Sequence, residues 1–232
     1  MTNKNKIHFF AVKNSNSMTT SEENYLKVIY HLSLVSPKGV NTNAIAGMLD
    51  TKASSVTDML KKLSEKNLVS YQKYQGVTLT ENGFRSAKMI VRKHRLWEVF
   101  LVEKLGFAWD EVHDIAEELE HIKSETLINK LDEFLDFPAF DPHGDPIPDV
   151  NGVMKKVNKL LLSEVELHKE YQCVGVKHSS SEFLQYLDKQ KIALGSKIIV
   201  KEKESFDDTL LVEVNAKQIT ISNKIANNLY VH

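Results

Sequence analysis

The stretch ASSVTDMLKKLSEKNLVSYQKYQGVTLTENG, residues 53–83, changes its period halfway along, and that change limits the folds open to the chain. Its first half sets Val56, Leu60 and Leu63 at offsets of four and seven, the repeat of a helix with one apolar face. Its second half alternates β-branched and aromatic residues with polar ones about Gln75-Gly76, the pattern of a hairpin. Upstream, TSEENYLKVIYHLSLV opens on Thr/Ser capping chemistry and spaces Tyr25, Ile29 and Leu32 helically, while NTNAIAGMLD reads as a short helix before Ile45 and Leu49. A helix, a helix-turn-helix and a two-stranded wing, in that order, predict a winged helix-turn-helix domain over residues 18–83. A small helical bundle with an incidental hairpin is the alternative.

The rest of the chain divides by the same criterion. Residues 1–17 are polar, Asn- and Lys-rich and without a sustained period, so they read as a flexible extension, with Met18 as a second candidate start. FRSAKMIVRKHRLWEVFLVEKLG is a long amphipathic helix, FAWDEV interrupts it, and VHDIAEELEHI and SETLINKLDEFL follow as shorter helices. The proline-rich FDPHGDPIP is an irregular loop that closes a helical domain over 84–152. After a linker at 153–164, short β-type runs (YQCVGV, KIIVKEK, TLLVEV, KQITIS, NNLYVH) around one helix, SSEFLQYLDKQ, predict a small SH3-like barrel over 165–232. The fold class is therefore mainly α with a smaller β part.

The net charge of −1 conceals a segregation. Residues 1–95 hold 15 Lys and Arg against 6 Asp and Glu, whereas residues 96–152 hold 3 against 15. A basic first part suits a polyanion and an acidic second part suits a cation, unless both are only solvated helix faces. One cysteine, Cys173, excludes an intrachain disulfide and any Cys-rich metal site. No apolar run approaches the length of a membrane span, and IHFFAV is too short for the core of a signal peptide, so no membrane association and a cytoplasmic location are expected.

The acidic part carries a pattern of its own. In VHDIAEELEHI, the offsets of four, seven and eight fold His113, Glu117, Glu120 and His121 into an arc of roughly 100° on one helix. His94 and Glu98, four apart on the preceding helix, also share a face. The two helices could thus offer three imidazoles and three carboxylates to one cleft with no thiolate, a set suited to Mn(II) or Fe(II). The bland alternative is an acidic surface with satisfied histidines. A metalloenzyme could use such a set, but no HExxH motif or nucleophile elbow accompanies it. A winged-helix regulator that senses an organic ligand or redox state would need a pocket or a reactive cysteine.

SEENYLKVIY, SSVTDMLKKLSEKNLV, VRKHRLWEVFL, VHDIAEELEH and FDPHGDPIP resemble successive motifs of the diphtheria-toxin-repressor and manganese-transport-regulator family, and most of all its three-domain manganese-responsive members. The resemblance implies a homodimeric repressor that Mn(II), or Fe(II), activates to bind double-stranded operator DNA of metal-uptake genes. It implies a primary site of Glu117, Glu120 and His121 with Asn24 and His94. Iron-responsive members have Cys at the position of Glu117, and manganese-type members usually have Asp at that of Asn24. A second site would draw on Glu98 and His113, or on Asp141 and His143 in the proline-rich loop, where relatives often carry Cys in place of Asp141. A ligand from the C-terminal domain would fall near His178 or Glu182. For DNA, the resemblance points to Lys52, Ser54, Ser55, Thr57 and Asp58, with charge from Lys61 and Lys62 and a wing contact from Lys73. The dimer interface is expected on the apolar face of Leu96, Val99, Phe100 and Leu119, for which a buried face within the chain is an equally plain reading.

Overall fold

The structure is a computed structural model that describes residues 18–72 and 76–232. The expected extension at 1–17, and Lys73 and Tyr74 of the expected wing tip, lie outside the described residues. The chain divides into two compact units, with the boundary between Thr78 and Leu79.

In the first unit, α1 (Thr20–Val35), α2 (Thr42–Met48) and α3 (Ala53–Glu65) precede the strands β1 (Val69–Gln72) and β2 (Gly76–Leu79). Thr19 starts α1 through a capping box: its hydroxyl accepts from Glu22 N, and the Glu22 carboxylate accepts from Thr19 N at 2.8 Å. Lys66 Nζ, just past α3, donates to the same carboxylate at 2.8 Å and ties the third helix to the first. Leu26, Ile29, Ile45, Val56, Leu60, Leu63 and Val77 are fully buried and Val69 of β1 nearly so, so every element contributes to the core. Val40 pairs with Val77 as an isolated bridge beside the wing. Gly76 makes this approach possible, because at φ +88° a Cβ would sit 2.8 Å from the Val40 carbonyl oxygen.

The second unit opens with the 25-residue helix α4 (Glu81–Leu105), capped by Thr80 and ended by left-handed Gly106. Against it pack α5 (Val112–Leu119) and α6 (Glu125–Phe134). Leu96 and Val99, expected at a dimer interface, are buried inside this helical core with Val112, Ala116, Ile128 and Leu131, and Phe100 and Leu119 pack against it. An amphipathic pattern reports that a face is covered, not what covers it. Exposed apolar side chains lie elsewhere, among them Leu105, Leu127, Phe134 and Phe137.

The C-terminal part contains β3 (Leu160–Leu161), β4 (Glu170–Val176), α7 (Ser181–Gln190), β5 (Lys197–Lys203), β6 (Leu210–Val214), β7 (Lys217–Ile221), α8 (Asn223–Ala226) and β8 (Leu229–Val231). Its six strands are ordered β3-β8-β4-β5-β6-β7, all antiparallel. The expected barrel is thus an open sheet among the described residues. The end strand β3 is two residues long, too short to ladder with β7, and Leu184 and Leu187 of α7 cover the core side instead. Residues 160–164, expected in the linker, already belong to this fold: β3 pairs with β8, and Leu162 enters the core.

Candidate metal centre

The helical stripe is real in space and is joined by the loop. His94 on α4 has both ring nitrogens engaged, with Nδ1 2.8 Å from Glu120 Oε2 and Nε2 3.0 Å from Glu98 Oε1. Glu98 Oε1 also lies 3.6 Å from His113 Nδ1 and 3.7 Å from His143 Nδ1. His113 Nε2 in turn stands 3.7 Å from Glu117 Oε1, and His121 Nε2 is 3.9 Å from Glu120 Oε1. Three groups bring their ligand atoms within 4.8 Å of one another: His94/Glu98/His113, His94/Glu117/Glu120 and Glu98/Asp141/His143. Helix geometry supplies the first two, because α5 packs along α4 and brings His113, Glu117 and Glu120 to the side of His94 and Glu98.

The third group depends on the loop after α6. Asp141 Oδ1 accepts from the backbone N–H of both His143 and Asp145 at 2.9 Å, an Asx turn that fixes the Pro142-His143-Gly144 bend. Arg95 Nε lies 3.2 Å from Asp141 Oδ2, and the Arg95 guanidinium donates onward to the Pro146 carbonyl. Sequence reasoning missed Arg95. Its position one residue after His94, on the same helix and opposite an acidic loop, was the available signal.

Two buried carboxylates this close repel each other by roughly 3–4 kcal/mol at an effective dielectric of about 20, so positive charge must be nearby. Burial alone would raise the Glu98 carboxyl, but hydrogen bonds from His113, His143 and His94 hold it well below the usual range. Burial and the Glu98 charge push Asp141 the other way, to about 7, against the pull of Arg95. Burial would lower His143, yet Glu98, Asp141 and the Trp109 carbonyl outweigh it and raise the imidazole to about 9. A proton on His143 thus does what a bound cation would do.

The other expected residues fall into place separately. Asn24 lies on α1 in the first unit, and its Oδ1 is buried with no hydrogen-bond partner among the described residues. A buried amide oxygen left unmatched is costly and open to a donor or a cation. His178 and Glu182 line a pocket of about 720 Å³ with Lys177, Tyr186 and Lys224, and join none of the three groups. Lys52, just before α3, and Ser54, Ser55, Asp58, Lys61 and Lys62 on it are exposed. Thr57 is half-buried and donates to the Ala53 carbonyl, and Lys61 pairs with Asp58 at 3.2 Å.

Residues 17–77 match the N-terminal DNA binding domain of iron dependent repressors, 80–149 their metal binding and dimerisation domain, and 160–232 the FeoA domain. The chain belongs to the iron-dependent repressor family. It is accordingly a metal-dependent transcriptional repressor and not an enzyme. It is 33% identical over 139 residues to the HTH-type transcriptional regulator MntR of Oceanobacillus iheyensis, covering 60% of this chain and 91% of that protein. Against the iron-dependent repressor IdeR of Mycobacterium tuberculosis it is 34% identical over 135 residues, 57% of either chain. A solved manganese-dependent transcriptional repressor in complex with manganese superposes with a TM-score of 0.81 at 32% identity, over 91% of this chain and 99% of that one. The donor set of the three groups fits a hard divalent ion: carboxylates and imidazoles, with no thiol in any of them. Mn(II) and Fe(II) both suit it.

Proposed function

We propose that Mn(II), or Fe(II), activates this chain to bind operator DNA of metal-uptake genes, with His94, Glu98, His113, Glu117, Glu120, His121, Asp141 and His143 as the ligand field. The observation that carries the reading is the continuous run Glu120–His94–Glu98–His143, in which buried donors from two helices and a loop converge. Asn24 is the ligand we assign to the DNA-binding domain, because its orphaned Oδ1 needs a partner. Bound metal would supply concentrated positive charge that offsets the clustered carboxylates. The residues do the rest: Glu98 and His94 hold α4 to α5, Asp141 sets the loop, and Asn24 couples occupancy to the domain that carries α3. His178 and Glu182, which stand apart in their own pocket, are left out of the ligand set.

In this reading the chain works in the cytoplasm as a homodimer, and the paired α3 helices meet half-sites about 34 Å apart, one helical turn. No helix among the described residues is long and apolar enough to cross a membrane. We seat the second copy on the exposed apolar side chains Phe134, Phe137, Leu127 and Leu105, of which Phe134 contacts Phe100 at 6.3 Å between centroids. On α3, the exposed Lys52, Ser54, Ser55, Lys61 and Lys62 face the duplex; Lys and Ser reach phosphates mainly, so sequence readout is weak and partly through DNA shape. Asp58 restrains Lys61, Thr57 braces the helix, and Lys73 extends the wing contact. The test is binding of an operator duplex in Mn(II) and in chelator. Mn(II) should raise affinity at least about tenfold, or roughly 1.4 kcal/mol; an organic-ligand or redox sensor would bind equally in both.

A further inference from the structure

Phe206, in the turn between β5 and β6, is 95% exposed. The turn that carries it is nonetheless built. Glu204 N donates to the Thr209 carbonyl at 2.8 Å, Asp208 N donates to the Glu204 carbonyl at 3.0 Å, and Thr209 N donates to Asp207 Oδ1 at 3.0 Å. Lys203 Nζ lies 3.2 Å from Asp208 Oδ1 and braces the base of the hairpin. An aromatic ring held out on a shaped turn loses little freedom when something covers it, and in water it forgoes the whole gain of burial.

A pocket elsewhere in the same fold is complementary to that turn. The space of about 720 Å³ beside α7 and α8 is lined in part by Phe183, Tyr186 and Ile225, which pack against the C-terminal core and stay only partly buried. Lys177 and Lys224 also line it, both exposed and neither in an ion pair among the described residues; the one carboxylate in the lining is Glu182. On the turn, Lys203 takes Asp208, which leaves the exposed Glu204 and Asp207 beside Phe206. An apolar pocket with two cations thus matches an aromatic tip with two anions.

At 95% exposure Phe206 does not fill the pocket of its own chain. Turn and pocket nevertheless share one end of the sheet: Leu210, at the base of the hairpin, pairs with Ile221, and α8 begins two residues later. Two copies related by a two-fold axis at that end exchange both tips at once, which closes the contact and keeps it from propagating as a fibre.

We propose that the β5–β6 turn of one copy seats Phe206 in the α7/α8 pocket of a second copy. This contact and the exposed apolar side chains of the helical domain use different residues. In the homodimer proposed for this chain the tip contact therefore joins dimer to dimer, and repressors on neighbouring operators hold one another. That last step rests on the placing of the homodimer contact at Phe134 and its neighbours.

The experiment puts a photoreactive phenylalanine analogue at position 206 of the full chain and mixes copies carrying natural and heavy nitrogen. Crosslinked peptides should join one label to the other and map to residues 177–186 or 224–228. Sedimentation of the natural chain should pass from dimer towards tetramer with rising concentration. Phe206→Ala should weaken that step at least about tenfold, the scale of one buried aromatic side chain. Lys224→Glu should weaken it as well, and adding Asp207→Lys to the same chain should restore it, which a damaged fold would not do. A natural chain that stays dimeric at every concentration, unchanged association of Phe206→Ala, or crosslinks that fall within one chain or outside the pocket would overturn the proposal. A Phe206→Ala chain that falls to monomer would uphold the contact and remove the helical side chains as the dimer face, so the two readings fail separately.

Discussion

At Glu98, Asp141 and His143 each side chain is at most 7% exposed and already engaged, whereas His113 and Glu117 on α5 stand 56% and 34% exposed. The donors are alike; the difference lies in what holds them. The loop cluster is held by the Asx turn, by Arg95 and by the Trp109 carbonyl beside His143. The α5 stripe sets Glu120 against His94, while His113 and Glu117 stand nearer the solvent. If both hold metal as proposed, the loop cluster does so by exchanging a proton and the α5 stripe by ordering exposed side chains.

The largest effect should come from the residue both regions share. Glu98→Ala removes the acceptor for His94, His143 and His113 at once. Breaking a buried charge network this way costs about 3–5 kcal/mol, so denaturant unfolding should show a large loss and Mn(II) titration should show both clusters weakened. If only one cluster weakens, the two are separate sites and not one shared field.

Glu120→Gln divides them. The side chain keeps its shape and loses its anionic charge, so metal-dependent DNA binding should fall sharply in a folded dimer while the loop cluster still fills. Glu118→Gln is the control, because Glu118 is exposed and turned about 100° from Glu117. Equal effects of the two variants on operator binding would reduce the stripe to an acidic surface.

A smaller effect reads the loop cluster alone. His143, raised to about 9, is protonated at neutral pH, and its contribution to the stability of the metal-free protein is full below about 6.5 and lost as pH rises through about 9. Metal must displace that proton. Calorimetry at pH 7.5 in buffers of differing ionisation enthalpy should show proton release that His143→Gln abolishes, and Mn(II) affinity should rise between pH 6.5 and 8. Smallest of all, Lys61→Ala should flatten the salt slope of DNA binding by about one unit and leave both clusters as they were.

The contrast also marks what the sequence could tell. The α5 stripe and the His94/Glu98 pair were legible because offsets of four and seven fix a face on any helix, and α3 and the wing were legible through their change of period. Asp141 and His143 could be named only by resemblance, since nothing in local spacing says that a loop after α6 folds back on α4. Trp109 was invisible: it acts through a carbonyl, which every residue has, across 34 positions of chain. Gly144 was visible as a turn former but not as the point where β4 presses on the loop. Leu96 and Val99 read as a covered face with two possible partners, and the structure supplies the one within the chain, because a helix pattern does not distinguish a neighbour in the same chain from a second copy.

The central claim is that occupancy of these clusters and operator binding are one linked equilibrium. Mn(II) should be titrated into the protein with and without a saturating operator duplex, at one salt concentration. The account predicts that the duplex tightens Mn(II) by the same factor, at least about tenfold, by which Mn(II) tightens the duplex. An Mn(II) affinity that is identical with and without operator would contradict it.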